Sequence, residues 1–207
     1  RCSCKHDFRE ILFEYNEPPT GETDFKFSKK EYFRKYERCR TCNHCFSIHN
    51  IEMDNLYKDE YVNSTYDGLI NEKFKKIISL PLKKSDNQGR VNRIKEFVQS
   101  YFEKNEKINL VDIGSELGVF PYMIKKIGWN CTAIDPDQKA TQHLKEELKI
   151  NTIQGDIFDL KIKERFHIAT LNKVLEHVFD PVEMLTKAAN LIKKGGIIYI
   201  EVPDGEM

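Results

Sequence analysis

The sequence predicts an α/β chain: a doubly wound parallel sheet in its second half, preceded by a small cysteine-rich domain and a helical connector. Three observations carry that prediction. From about residue 107, short apolar runs alternate with amphipathic stretches, as buried parallel strands alternate with crossover helices. Five of the six cysteines fall within the first 45 residues. Between these regions, apolar residues recur at helical spacing. With 207 residues, 40% of them apolar, the chain has room for one ordinary domain with an appendage and can bury a core.

The elements follow in order. Residues 1–55 carry turn chemistry at Pro18-Pro19-Thr20-Gly21 and short aromatic stretches such as Asp24-Phe25-Lys26-Phe27. These read as small hairpins with too little core to stand without a staple. Residues 56–105 read as the connector: Ile70, Phe74, Ile77 and Ile78 lie on one helical face, and Val91, Ile94, Phe97, Val98, Tyr101 and Phe102 on another. Leu80–Leu82 and Ser85–Gly89 break the two helices apart. Residues 106–207 read as the sheet domain. A strand over Ile108–Ile113 leads into a helix through Phe120–Ile127, with Pro121 tolerable only in its first turn. A second strand, Asn130–Asp135, precedes a helix carrying Leu144 and Leu148, and short runs at Thr152–Gln154 and Phe166–Leu171 supply two more strands. Asp180 as N-cap, Pro181 at the first helical position and Glu183 in a capping-box-like place open the next helix, which Lys193, Lys194 and Gly195 are expected to close. Ile197–Val202 is a fifth strand. Five such βα units make a Rossmann-like sheet with helices on both faces.

Charge excludes several functions. Acidic and basic residues number 33 each, and the balance holds locally, at +2 over 1–50, +1 over 51–105 and −3 over 106–207. No segment concentrates the positive field that a phosphate backbone requires, so nucleic acid is excluded as a partner. No apolar run reaches the roughly 18 residues of a membrane span. The polar stretch RCSCKHDFREILFEYNE is no signal peptide. A reducing cytoplasm is the expected compartment.

In such a compartment clustered cysteines read as metal ligands before disulfides. Cys39-Arg40-Thr41-Cys42 is a C-x-x-C knuckle and Cys2-Ser3-Cys4 a C-x-C pair. Two short-range pairs suit a closed tetrahedral zinc site, structural in role, with Cys2, Cys4, Cys39 and Cys42 as ligands. The 34 residues between Cys4 and Cys39 require a hairpin insertion. Cys45 and His44 are spare candidates, because Cys42-Asn43-His44-Cys45 repeats the spacing. Cys39 with Cys42 is preferred, since it sets Asn43, which tolerates positive φ, just past the knuckle.

The turn after the first strand of the sheet reads Asp112-Ile113-Gly114-Ser115-Glu116-Leu117-Gly118. Gly114 and Gly118 let backbone approach a ligand at a helix N-terminus. The dinucleotide fingerprint G-x-G-x-x-G is absent, because Glu116 occupies its middle glycine. Asp112, two residues before Gly114, would repel a pyrophosphate and attract a cation. Asp135, 23 residues on, stands where a carboxylate accepts both ribose hydroxyls. Asp156 after the third strand could accept from an adenine amino group, with Ile157 against the ring. A ligand with ribose, adenine and positive charge suits this set.

Over residues 90–207 the chain resembles the class I S-adenosylmethionine-dependent methyltransferases, through VDIGSELG, the acidic end of AIDPD, GDIFDL, LNKVLEHVFDP and LIKKGGIIYIEVPD. The resemblance implies S-adenosylmethionine as cofactor. Asp112, Gly114, Ser115 and Gly118 would surround its methionine end, Asp135 its ribose, and Asp156 and Ile157 its adenine, while Asn172 would line the site from the fourth strand. Glu116 departs from the glycine usual in the family. That family's sheet has seven strands, ending in an antiparallel hairpin beside the fifth; here the chain stops just after the fifth, whose edge is expected to be covered by further residues or by a partner, as in a homo-oligomer. With its zinc cluster and the stretch Leu56–Tyr61, the chain is similar to bacterial methyltransferases with an N-terminal zinc-binding domain, sugar C-methyltransferases among them. That implies a small-molecule acceptor, a sugar derivative on a nucleotide carrier. The crevice of a doubly wound sheet opens where strand order reverses, between the first and fourth strands. His177, with Glu176 beside it, is expected there, either as the group that takes or orients the acceptor's proton or as packing for the next helix.

Overall fold

The computed structural model describes residues 2, 4, 8–20, 32–50, 69–103 and 106–203. Gly21, the Asp24–Phe27 stretch and the Leu56–Tyr61 stretch lie outside them. The chain divides into two compact units, one within Arg1–Glu60 and one within Tyr61–Pro203.

In the first unit, β1 (Arg9–Tyr15), β2 (Arg34–Cys39) and β3 (Cys45–His49) form an antiparallel sheet in the order β1-β2-β3. Among the described residues its apolar cover is thin, with Ile11 and Phe13 exposed and Cys39 buried. Charged pairs make up part of the difference: Arg9 Nη1 bonds Glu37 Oε2 at 3.2 Å, its guanidinium lies 3.8 Å from the Phe46 ring centroid, and Arg38 and Arg40 both reach Glu10. Such contacts between partly exposed groups contribute little each.

The second unit opens with α1 (Ile70–Ile78), a single 3-10 turn over Leu82–Lys84, and α2 (Asp86–Tyr101), which starts where Ser85 Oγ accepts the Gln88 N–H. Then come β4 (Asn109–Ile113), α3 (Val119–Lys126), β5 (Asn130–Asp135), α4 (Gln138–Glu146), β6 (Asn151–Gln154), β7 (Phe166–Asn172), α5 (Pro181–Asn190) and β8 (Ile192–Glu201). The five strands are all parallel, in the order β6-β5-β4-β7-β8, so β4 and β7 flank the switch point and β8 is the outermost strand on its side among the described residues. This is the doubly wound α/β sheet that the sequence predicts.

Alternation along the strands explains the layers. Leu110, Cys131 and Ile168 face one side, against Val91, Ile94 and Val98 of α2 and Phe120 and Ile124 of α3. Val111, Ile113, Ala169 and Leu171 face the other, against Met184 and Ala188 of α5. Leu144 of α4 joins Ala133, Leu148 and Phe74 of α1, so both upstream helices pack as part of the sheet's own layers.

Two local expectations need correction. The crossover from β6 to β7, residues 155–165, contains no helix. Ile157, Phe158, Leu160 and Ile162 tuck directly onto the core, and Lys187 Nζ pins the loop by donating to the Phe158 carbonyl. Lys193, Lys194 and Gly195 also do not close α5, which ends at Asn190. They lie inside β8, where the pairing jumps from Phe166↔Ile192 to Ile168↔Ile197, and Gly195 takes φ +79° within that bulge. Among the described residues, no helix is long and apolar enough to cross a membrane.

Candidate cofactor site and thiolate cluster

The carboxyl ends of β4, β5 and β7 bring most of the candidate residues together. Asp112, buried near the end of β4, is held entirely by neutral donors. Its Oδ1 accepts from Thr170 Oγ1 at 2.6 Å and Asn172 Nδ2 at 3.1 Å, and its Oδ2 lies 2.8 Å from Ser115 Oγ. Burial raises its carboxyl to about 7; the three hydrogen bonds pull it down, and the nearby Asp135 charge pushes it up. Asn172 spends its amide donor on Asp112, while its Oδ1 is buried with no hydrogen-bond partner. An unpaired buried acceptor beside a buried carboxyl leaves room for a hydrogen-bond donor.

The glycine turn alternates left-handed residues: Gly114 at φ +73°, Glu116 at +43° and Gly118 at +71°. Glu116 holds this left-handed conformation with its N–H turned inward, donating to Asp135 Oδ2 at 2.8 Å. Asp135 Oδ1 accepts the Asp137 N–H at 2.9 Å. One carboxylate thus ties the glycine turn to the start of α4, whose first turn Asp137 caps by accepting the Ala140 N–H. Burial raises the Asp135 carboxyl to about 6 against those two backbone bonds. A Cβ on Gly114 would meet Val174 Cγ2 at 2.7 Å, and one on Gly118 would meet Leu144 Cδ2 at 2.3 Å.

Asp156 accepts the Phe158 N–H at 3.0 Å and closes the turn after β6, while Ile157 sits 5% exposed within the core. Glu176 and His177 occupy a 3-10 turn after β7, entered through Lys173 at φ +57°. The His177 side chain is 45% exposed, and its Nε2 stands 4.0 Å from Glu176 Oε1.

Sequence reasoning missed a cluster beside this edge. Glu201, the register partner of Asn172 on β8, accepts from Arg90 Nε at 2.9 Å and from Arg93 and Tyr199 at 3.1 Å each; the buried Arg90 also reaches Asn87 Oδ1. The Glu201 carbonyl accepts the Lys173 N–H at 2.8 Å. The cluster therefore clasps α2 to the strand end that carries Asn172. Its only trace in the sequence is a glutamate interrupting the apolar run IIYIEV.

In the first unit the sulfurs of Cys2, Cys4, Cys39 and Cys42 all lie within 4.8 Å of one another, with Cys2 and Cys42 at 3.4 Å. Four sulfurs at about 2.3 Å from a zinc ion would stand about 3.8 Å apart, so the set fits a tetrahedral ion. Cys39 is pulled down to about 6 by the backbone N–H groups of Cys42 and Thr41, and Cys4 is pushed up to about 12 by the thiols of Cys2 and Cys42. Asn43 follows the knuckle at φ +59°. Cys45 points aside, its thiol 3.7 Å from the Asn43 carbonyl, and the His44 ring packs edge-on against Phe46.

The family model described as "Methyltransferase domain" matches residues 86–207. The chain belongs to this methyltransferase family. Its methyltransferase domain spans α2 to the end of β8, with the edge where Asp112, Asp135 and Asn172 meet. The chain is similar to the ubiquinone biosynthesis O-methyltransferase of Rickettsia canadensis, 30% identical over 119 residues, covering 55% of this chain and 50% of the relative. Against the enzyme of the same name from Haemophilus ducreyi it is 28% identical over 165 residues, covering 74% and 65%. The chain spans about half the length of most of the curated relatives it matches. Among solved structures, the plantazolicin methyltransferase BpumL with S-adenosylhomocysteine aligns at TM-score 0.51 and 19% identity, covering 68% of this chain and 56% of that one. An S-adenosylmethionine-dependent methyltransferase from Clostridium acetobutylicum aligns at 0.51 and 17%, covering 64% and 56%. At such identities the likeness is one of fold.

Proposed function

We propose that the chain transfers a methyl group from S-adenosylmethionine to a sugar, nucleotide-linked in form, or to a similar small polar metabolite. The single observation that carries the cofactor assignment is the Asp112 carboxyl buried beside the unpartnered Asn172 Oδ1, at the switch point of a methyltransferase-family sheet. In this reading Asp112, Ser115 and Asn172 hold the cationic methionine end, with Gly114 and Gly118 keeping Cβ atoms out of the turn. Asp135 uses its remaining lone pairs for the ribose hydroxyls, and Asp156, over Ile157, takes the adenine amino group. When bound, the cofactor supplies an electrophilic methyl on its sulfonium. Glu176 and His177 border the acceptor side, where His177 receives or orients the acceptor's proton. Residues 1–55 are stapled by a structural zinc on Cys2, Cys4, Cys39 and Cys42, thiols that a reducing cytoplasm keeps free. Residues 56–105 connect, and 106–207 bind cofactor.

The sugar acceptor is supported by the four-cysteine cluster joined to this domain, a pairing that resembles the sugar C-methyltransferases. A second reading, O-methylation of an unrelated small molecule, is supported by the named activity of the curated relatives. Calorimetry with S-adenosylhomocysteine tests the cofactor, with saturable binding at one site per chain expected. A screen of nucleotide sugars against phenolic acceptors, read as methylated product by mass spectrometry, then separates the two acceptors. Absence of cofactor binding by reduced, zinc-replete protein would refute the assignment.

A further inference from the structure

The groups around Asp112 are arranged for two protonation states. Ser115 Oγ lies 2.8 Å from Asp112 Oδ2 and also 3.0 Å from the Asp112 main-chain carbonyl. A hydroxyl has one hydrogen. If it goes to the carbonyl, the short contact with Oδ2 is a hydrogen bond only when the carboxyl itself carries the proton. If the carboxyl is ionised, the hydroxyl turns and donates to Oδ2. Oδ1 takes the Asn172 amide donor in either state, and the Thr170 hydroxyl, 2.6 Å from Oδ1 against 3.3 Å from the Val111 carbonyl, donates there as well. The proton's place is therefore Oδ2, with Ser115 as the rotor.

No charged partner competes for that carboxyl among the described residues. From β5 it faces Asp135, another carboxylate, and the buried Cys131 thiol. From β7 it faces only Thr170 and Asn172, and from the glycine turn Ser115. On α2, Arg90 is committed to Glu201 and Asn87, and past β7, Lys173 pairs with Asp86. A carboxyl buried among neutral donors and near a second acid holds its proton to higher pH than a free carboxyl does, and a cation displaces it.

We propose that Asp112 holds a proton on Oδ2 in the free protein and surrenders it when a cationic ligand binds, so that the site selects for positive charge by exchanging it for a proton. This rests on the cofactor reading above. The balance is simple: the Oδ2–H bond breaks, its electron pair stays as carboxylate charge opposite the ligand's ammonium, the Ser115 hydroxyl turns to donate, and the proton passes to buffer.

The test is calorimetry of the intact chain with S-adenosylhomocysteine in phosphate and in Tris, whose ionisation enthalpies differ. With a free carboxyl near 7, about half a proton should be released per ligand at pH 7 and about a tenth at pH 8, with the association constant rising about tenfold from pH 6 to pH 8. Asp135 is largely ionised by pH 7, so Asp112→Asn should abolish the release there. Binding whose heat does not depend on buffer at pH 7, or release that survives Asp112→Asn, would overturn the proposal while leaving the cofactor reading intact. No binding in any buffer would overturn the cofactor reading and this proposal with it. The buffer comparison needs only the native chain, so the proposal stays open to refutation even if the variant misfolds.

Discussion

Gly118→Ala perturbs the point where the glycine turn becomes α3. Gly118 is the N-cap of that helix at φ +71°, and an added Cβ would lie 2.3 Å from Leu144 Cδ2 and 2.9 Å from Leu148 Cδ1. A Cβ in the left-handed region costs about 1–2 kcal/mol. Forcing a methyl into a packed contact adds about 1–3 kcal/mol. Reduced freedom of the unfolded chain offsets about 0.4–1 kcal/mol of that. The net expectation is a loss of about 2–4 kcal/mol. Gly128→Ala supplies the control, because Gly128 has φ +87° and nothing within 4 Å of its would-be Cβ. It should lose only about 1 kcal/mol from backbone strain. Urea unfolding followed by fluorescence of Trp129, the sole tryptophan, reads the sheet unit by itself, since that indole packs against the α2–α3 core. If Gly118→Ala costs no more than Gly128→Ala, the close approach of α4 to this turn is not what holds it.

Four further outcomes are expected. Elemental analysis of reduced protein should find one zinc per chain, lost in Cys39→Ser but retained in Cys45→Ser, whose thiol stands aside. Glu116→Gly should leave the sheet unit as stable as before or firmer by roughly 0.5 kcal/mol, as relieved left-handed strain outweighs added chain entropy and the N–H to Asp135 persists. Arg90→Met should cost roughly 1.5–2 kcal/mol in the same urea assay, because the Glu201 carboxylate loses its buried cation but keeps Arg93 and Tyr199, and Arg90→Met with Glu201→Leu should recover part of it. Ligand-free protein should lose stability from pH 5 to pH 8: the Asp112 and Asp135 carboxyls titrate higher in the fold than in the unfolded chain, so their contribution is complete in acid and fades as pH rises through about 6 to 7. Urea midpoints at the two pH values check this, and Asp112→Asn should flatten the difference.

Much of the fold was legible because its signals are local. Apolar runs such as Leu110–Ile113 and Phe166–Leu171 could be nothing but buried strands once turns bounded them, and Asp180 with Pro181 marked a helix start that the structure shows, the Asp180 carboxylate accepting the Val182 and Glu183 N–H groups. Gly195 was legible as a left-handed residue, but positive φ alone does not separate a helix cap from a strand bulge. The helix actually ends at Asn190, where no glycine announces it. In the site, carboxylates ending strands showed in the sequence, and so did the spacing of Cys39 and Cys42. Arg90 and Glu201 did not, because 111 residues separate them and only the closing of the sheet brings them together. The same holds for His167, whose Nδ1 accepts the Asn109 N–H and whose Nε2 meets Glu106 at 2.7 Å, across two strands and a connector.

The two buried acids give the site its character and also its cost. Asp135 spends its oxygens on the backbone N–H groups of Glu116 and Asp137, which shape the turn before any ligand arrives. Asp112 spends nothing on backbone N–H groups; its partners are three side chains, of which the Ser115 hydroxyl can turn to the Asp112 main-chain carbonyl. Asp135 is therefore the structural acid and Asp112 the responsive one. Exchanging them tests the distinction: Asp135→Asn should disrupt the glycine turn and lower stability in the absence of ligand, because an amide can accept only one of the two N–H groups without turning a donor toward the other. Asp112→Asn should leave the ligand-free fold firm at neutral pH and remove the charge that a cationic cofactor would meet. Equal loss of stability in the two variants would show that both carboxylates serve the fold.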